Sequence, residues 1–430
     1  MYNKYFKIDK SFSFKFSKTF LLTFLLASFI FQFIISTYSY ASDSVYVWSD
    51  VSKNVSSEIS KDNDRSNKDS DHNALGLEST SAVLIEQSTG QILYSHNMNE
   101  RLRPASVTKI MTILLIMEAI DGGKISLDDK IPCSQNASSM GGSQIWLDPE
   151  ESLTVHEMLK AICVVSANDC CVAMSEYIGG SEDSFVEMMN NKAKELGMIN
   201  TTFKNCHGLD EDGHVTSSYD IALMSKELLK NHPSITQYTT IRMDSLRDGK
   251  SELVNTNKLI NSYDGITGLK TGSTGLALYN LSASATRDDL SLIAVIMKAP
   301  STKIRFEEAK KLLNYGFNNF IYKEFAKKND VLQNINILKG SCDFANVVFE
   351  EDSGVLIEKG KENKIEQIVT IPEIINAPII SGQKIGEVSY LLDGNTLLTS
   401  NLIINTNIDK LNILLIGKNI FYKWLSLLRN

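Results

Sequence analysis

The chain has 430 residues, enough for two or three domains and a sizeable core, and its 43% hydrophobic and 22% charged content is ordinary for a globular protein. A formal net charge of −8 argues against a nucleic-acid partner. Six cysteines in this length do not make a disulfide framework, none are spaced CxxC, and the six histidines form no HExxH, so a zinc site is not expected.

Residues 1–18 carry five Lys and one Asp, and residues 19–35, "TFLLTFLLASFIFQFII", carry no charge. Small residues at Ser39 and Ala41 suit cleavage after Ala41, so residues 1–41 read as a secretory signal peptide. An uncleaved anchor is the alternative, although a core of about 17 residues is at the short limit for a span. Either way the remainder is expected outside the cytoplasm. Residues 42–79 are rich in Ser, Asn, Asp and Lys and read as a disordered, solvated spacer.

At Thr80 the texture changes. "SAVLIEQSTGQILYS" predicts a β-hairpin turning at Ser88-Thr89-Gly90. Pro104 precedes an apolar run of helical length over 106–120, which Gly122-Gly123 stops. Residues 154–231 are mainly of helical pattern. From 264 the pattern turns to strands: "GLKTGSTG", then "LALYNLSASATRD", then "LSLIAVIMKAP" after a turn at Arg287-Asp288-Asp289. A helix near 303–319 closes an α+β domain over 80–320, and Gly-punctuated alternation over 325–407 reads as a small all-β domain. In 409–430, Leu411, Leu414, Leu415, Ile420, Phe421, Trp424, Leu425 and Leu428 are interspersed with Lys410, Lys418, Lys423 and Arg429. That mixture suits an amphipathic membrane-anchor helix lying in the interface, with a docked C-terminal helix as the alternative.

The chemistry-bearing residues lie inside this frame. In "RPASVTKIMT", Ser106 and Lys109 share one face of a helix start. A serine hydroxyl is a poor nucleophile until something takes its proton, and a lysine can do so when burial or a second cation lowers its pKa. The helix dipole and the Ser106 N–H could also serve a developing oxyanion. The pair alone is unspecific, since Ser381 and Lys384 repeat it. "VVSANDCC" places Ser166 and Asn168 between two helical runs, although Ser134-Gln135-Asn136 has the same spacing. "GLKTGST" puts Lys270, Thr271 and Gly272 on a strand, where the glycine lets a substrate backbone lie close and the other two can bind a carboxylate. In this order the three make the set found in penicillin-interacting serine enzymes.

With the long stretches that flank these motifs, such as "MGGSQIWLDPEESLTVHEMLKAICVVSANDCCVAMSEYIGGSEDSFVEMMN" and "GITGLKTGSTGLALYNLSASATRD", the chain resembles the serine-type D-alanyl-D-alanine carboxypeptidases, low-molecular-mass penicillin-binding proteins. The resemblance implies a penicillin-binding, β-lactamase-like fold, a five-stranded antiparallel sheet with helices on both sides, then a small β-domain and an amphipathic anchor. It implies a peptidoglycan stem peptide ending in D-Ala-D-Ala as substrate, β-lactams as inhibitors, and a membrane surface as partner of the C-terminal helix.

By the same resemblance, Lys109 takes the proton of Ser106, which attacks the penultimate carbonyl. Asn168 binds the substrate backbone, and Lys270 and Thr271 hold the terminal carboxylate beside Gly272. The N–H groups of Ser106 and Ser273 make the oxyanion hole. Ser166 and Lys270 pass a proton to the leaving D-Ala. His207 and Asp210 read as structural, Cys171 as a buried thiol near the site, and Trp146 as packing. One departure stands out: Ala277-Leu278-Tyr279 replaces the family's Ala-Gly-Tyr, and Gly275-Leu276 a more acidic pair. Leu278 is expected to crowd the neighbouring strand or the site and bears on turnover and substrate preference. An endopeptidase or β-lactamase sharing the acylation chemistry, and a non-catalytic wall-binding homologue, are the other readings.

Overall fold

The computed structural model describes residues 73–411. The expected signal peptide, residues 42–72 of the expected spacer and residues 412–430 of the expected anchor lie outside the described residues.

The chain opens with β1 (Ser81–Glu86) and β2 (Ile92–His96), paired antiparallel. Glu86 holds the turn between them, its carboxylate accepting the backbone N–H groups of Ser88 and Thr89 at 2.8 and 2.6 Å. A short 3-10 turn, Ala105–Thr108, leads into α1 (Lys109–Asp121). This helix is buried almost all round, as expected of a helix with no polar face. Around it pack α2 (Val155–Val164), α3 (Asn168–Gly179), α4 (Glu182–Glu195) and α5 (Ser218–Asn231). A capping box between Thr154 and Glu157 starts α2. The chain then makes β3 (Ile266–Thr274), β4 (Leu278–Arg287) and β5 (Leu290–Ala299), followed by α6 (Thr302–Asn319).

The sheet runs β2-β1-β5-β4-β3, antiparallel throughout, so the first hairpin closes against the last strand. The period-two alternation divides the core. Val83, Ile85, Ile293, Val295 and Met297 face the α1–α5 layer, whereas Leu84, Leu292, Ala294 and Ile296 face α6. Helices therefore cover both faces, as the resemblance implied.

Two boundaries move. Residues 73–79, read as spacer, are part of the fold: Leu77 is buried, and Glu308 of α6 accepts the N–H groups of Glu78 and Ser79 and the Ser79 hydroxyl. Asn73 bonds both the N–H and the carbonyl of Leu77. The polar residues that made this stretch look solvated serve as hydrogen-bond partners for its backbone. The β-domain also begins early, because β6 (Phe320–Ala326) leaves α6 without a linker.

That domain adds β7 (Val331–Leu338), β8 (Phe344–Phe349), β9 (Ser353–Glu358), β10 (Ile365–Thr370), β11 (Ile374–Asn376), β12 (Gln383–Leu392) and β13 (Asn395–Ile404). Its large sheet is ordered β10-β12-β13-β8-β7-β11, and β6 pairs with β9. Val347, Phe349, Val388, Tyr390, Leu402 and Ile404 make its core, with Phe325 stacked on Tyr390 at 3.9 Å.

Candidate active site

Ala105 takes a left-handed φ of +50° and turns the chain so that Ser106 stands, partly exposed, at the mouth of α1. Such strain in a non-glycine residue costs about 1–3 kcal/mol and persists only where the surroundings fix it. Three elements do so. Gly208 (φ +91°) lies so close that an added Cβ would come within 1.9 Å of the Ala105 carbonyl oxygen. Gly272 of β3 lies against the same turn, where a Cβ would meet the N atoms of Val107 and Ser106 at 2.8 and 2.9 Å. Asn280 of β4 donates to the carbonyls of Arg103 and Pro104, each at 2.9 Å, and accepts the Lys298 N–H at 2.7 Å.

Lys109 is fully buried. Its Nζ lies 3.1 Å from Ser106 Oγ, 2.6 Å from Asn168 Oδ1 and 2.6 Å from the His207 carbonyl. Asn168 and the carbonyl can only accept, so they take two of its N–H groups. Once the amine is neutral, its lone pair is left for the serine proton. Burial lowers the Lys109 pKa, opposed by the fields of Cys171, Cys206 and Asp169.

Asn168 is fixed in turn, its N–H donating to the Ser143 carbonyl at 2.7 Å and its Nδ2 to the Gly141 carbonyl at 2.6 Å. Ser166, two residues earlier, has a φ of +66° and a buried hydroxyl with no hydrogen-bond partner among the described residues.

On β3, Lys270 is buried and its Nζ donates to the Thr271 carbonyl at 3.0 Å. Burial first, and the Lys109 charge second, push its pKa down to about 7. Thr271 Oγ1 pairs with Thr256 Oγ1 at 2.7 Å, and Ser273 is exposed at the rim. The structure thus brings Ser106, Lys109 and Asn168 into direct contact and sets Gly272 against the Ala105–Ser106 turn.

His207 contributes its carbonyl to Lys109. Its ring is kept neutral by burial, with a pKa pushed down to about 3. Asp210 accepts from Thr274 Oγ1 at 3.0 Å and ties the loop to the end of β3. Both make contacts that hold the 205–210 loop against the site. Cys171 is fully buried and its thiol is pushed up to about 12 by burial, which makes it an inert apolar residue. Trp146 corrects the packing expectation: it is 74% exposed. Its φ of +60° turns it outward, while Ile145 and Leu147 on either side take the buried positions.

Leu278 also has a left-handed φ, +54°, which is what a glycine would adopt freely. It faces Thr274 at the closed end of the β3–β4 hairpin, four residues from Ser282, the cross-strand partner of Lys270. That is about 13 Å along the strand, so Leu278 strains the turn and does not crowd the lysine.

Asn280 and Arg305 escaped the sequence reading. Arg305 reaches from α6 under the sheet and donates to the Gly272 and Asn280 carbonyls, both at 3.2 Å. The available signal was a polar residue inside an apolar strand pattern and an arginine on the apolar face of a helix.

The family model described as D-alanyl-D-alanine carboxypeptidase matches residues 67–301, and that of the penicillin-binding protein 5 C-terminal domain matches 320–410. The D-alanyl-D-alanine carboxypeptidase DacF of Bacillus subtilis is 45% identical over 354 residues, 81% of this chain and 91% of that protein. DacC of Escherichia coli is 33% identical, over 76% of this chain and 84% of that protein. Among solved structures, penicillin-binding protein 5 of Haemophilus influenzae superposes with a TM-score of 0.69 at 30% identity, covering 78% of this chain and 98% of that one. Penicillin-binding protein D2 of Listeria monocytogenes, in its ampicillin-bound form, gives a TM-score of 0.52 at 31% identity over 56% of this chain and 99% of that one. The chain belongs to the D-alanyl-D-alanine carboxypeptidase family, serine hydrolases of the penicillin-binding class.

Proposed function

We propose that the chain removes the terminal D-alanine from peptidoglycan stem pentapeptides through an acyl-enzyme on Ser106. The observation that carries this reading is the buried Lys109 amine, held by two acceptors with its third position on Ser106 Oγ at 3.1 Å. The neutral amine takes the hydroxyl proton as Oγ attacks the penultimate D-Ala carbonyl. The N–H groups of Ser106 and Ser273 receive the oxyanion. Lys270 and Thr271 hold the substrate carboxylate, whose charge restores the protonated form of Lys270. Asn168 aligns the peptide backbone. Ser166, with its unpartnered hydroxyl, and Lys270 relay that proton from Lys109 to the departing D-Ala nitrogen, which leaves the Lys109 amine neutral again. Water then attacks the ester and gives a proton to Lys109, which passes it to Ser106 Oγ as the acyl bond breaks. A β-lactam enters by the same acylation step.

We place the active protein outside the cytoplasm, released or anchored by 1–41 and held at the membrane by 409–430. The sequence of those segments supports this. So do the exposed Leu338, Phe344 and Ile374, which lie at the sheet end where Leu411 N bonds the Lys339 carbonyl and the chain leaves the domain. Among the described residues no helix is long and apolar enough to cross a membrane.

D-Ala release from a stem pentapeptide tests the activity. The protein should release it, and Ser106→Ala and Lys109→Ala should each lose at least about a thousandfold. Release by either variant at near the original rate contradicts the assignment. Sedimentation with vesicles of phosphatidylglycerol and phosphatidylethanolamine tests the anchor. Loss of residues 409–430 should free a protein already lacking 1–41.

A further inference from the structure

Trp146 is presented to solvent by a loop that the fold holds rigid. It is 74% exposed between Ile145 and Leu147, which are 5% and 3% exposed, and its φ is +60°. A left-handed backbone is a genuine outlier for so bulky a residue.

The surroundings fix this conformation from both sides. The buried Asp169 carboxylate accepts the N–H groups of Ile145 and Leu147 at 3.0 and 3.1 Å. Arg247 donates to the carbonyls of Ile145 and Trp146 at 2.8 and 3.2 Å. Arg247 is itself held by Glu151 through a fork of two bonds, at 2.6 and 2.8 Å. The backbone that carries the indole is therefore fixed before any ligand arrives, and no loop ordering is left to oppose binding.

The mount belongs to the active site. Ser143 and Gly141 of the same loop receive the N–H and side-chain amide of Asn168, and Asp169 is the next residue of α3. Two consecutive residues of one helix thus hold the loop, one facing Lys109 and the other fixing Trp146. Trp146 is three positions from Ser143, at most about 10 Å of chain. A D-Ala-D-Ala terminus spans only about 7 Å, whereas an extended pentapeptide spans about 17 Å. A loop residue this close in chain to Ser143, which binds Asn168 beside Lys109, lies within the span of an extended pentapeptide seated there.

We propose that Trp146 is a binding subsite, an aromatic platform for a C–H-rich face of the substrate upstream of D-Ala-D-Ala. This rests on the carboxypeptidase reading above. Two parts of the substrate carry such a face: the aliphatic side chain of the stem's third residue and the sugar ring to which the stem is attached. A tryptophan on a fixed backbone offers either a large contact area, and remote contacts of this kind raise the specificity constant.

The test compares acetyl-D-Ala-D-Ala, a stem pentapeptide and a disaccharide-pentapeptide on the full protein, Trp146→Ala and Trp146→Phe. Fluorescent penicillin reports a folded site in each. The preference in kcat/KM for the long over the short substrate should fall about tenfold in Trp146→Ala, mainly through KM, and be largely restored in Trp146→Phe. A fall already seen with the pentapeptide assigns the aliphatic side chain; one confined to the disaccharide-pentapeptide assigns the sugar. An unchanged preference overturns the proposal. An equal loss on all substrates and on penicillin labelling also overturns it, because it makes Trp146 a support for the Asn168 loop. The chain has three Trp, so Trp48→Phe with Trp424→Phe leaves Trp146 as the sole indole emitter. In that background with Ser106→Ala, the long substrates should shift its emission saturably. No shift contradicts the platform even if the carboxypeptidase reading itself were to fail.

Discussion

Gly208 offers a matched test of how the nucleophile is positioned. Its φ is +91°, and an alanine Cβ would lie 1.9 Å from the Ala105 carbonyl oxygen and 3.0 Å from Ser106 N. Ordinary contact begins near 3.4 Å, so the Ala105–Ser106 backbone or the 205–209 loop must move by about 1.5 Å. Moving the first displaces Ser106; moving the second carries the His207 carbonyl away from Lys109. A misplacement of about 1 Å at a reacting centre costs about a hundredfold in rate. Gly208→Ala should therefore lower the acylation rate by fluorescent penicillin about a hundredfold. It should also lose about 2–4 kcal/mol in urea unfolding, from the left-handed φ and the displaced packing together. Gly213→Ala is the control. Its φ is +82°, but the nearest atom is the flexible Lys204 Cε at 3.3 Å. It carries the conformational cost of about 1–2 kcal/mol without the clash, and its acylation should stay within twofold. If Gly208→Ala acylates like Gly213→Ala, the 205–209 loop does not position the nucleophile and the reasoning fails.

Other expectations follow from the same geometry. Lys270 titrates near 7 when folded and near 10.5 when unfolded, so between those values the unfolded chain binds the extra proton and stability rises with pH. Lys270→Met should flatten part of that rise in unfolding free energy measured from pH 7 to 10; an unchanged slope would show that the lysine is not desolvated. For Leu278→Gly, relief of left-handed strain is offset by glycine's entropy and the lost side chain, so stability should change by less than about 1 kcal/mol. Acylation should stay within twofold, and a tenfold gain would mean that Leu278 obstructs the site after all. Of the described cysteines only Cys342 is exposed. A thiol reagent should modify one site quickly in the folded protein and leave penicillin labelling intact, whereas rapid loss of labelling would mean that Cys171 is reachable.

The fold was legible where pattern and burial agree. The apolar run after Lys109 is a helix buried on all sides, and the period-two strands β4 and β5 divide their side chains between two cores. The Ser106–Lys109 contact was legible because its spacing survives folding: the two are one helical turn apart in sequence and 3.1 Å apart in space. What could not be read is set by distant backbone. Glu78 and Ser79 looked solvated because their partner, Glu308, lies 229 positions from Ser79. Trp146 looked like core because its residue type favours burial, whereas Asp169 and Arg247 force a backbone that expels it. Asn280 and Arg305 matter through carbonyls that no spacing rule exposes.

The most direct test of the account maps a penicillin adduct by peptide mass spectrometry while D-Ala release is followed in the same sample. One adduct per chain is expected, on Ser106, with release of D-Ala from the stem pentapeptide falling in step with its occupancy. An adduct elsewhere, or D-Ala release that persists at full Ser106 occupancy, would contradict it.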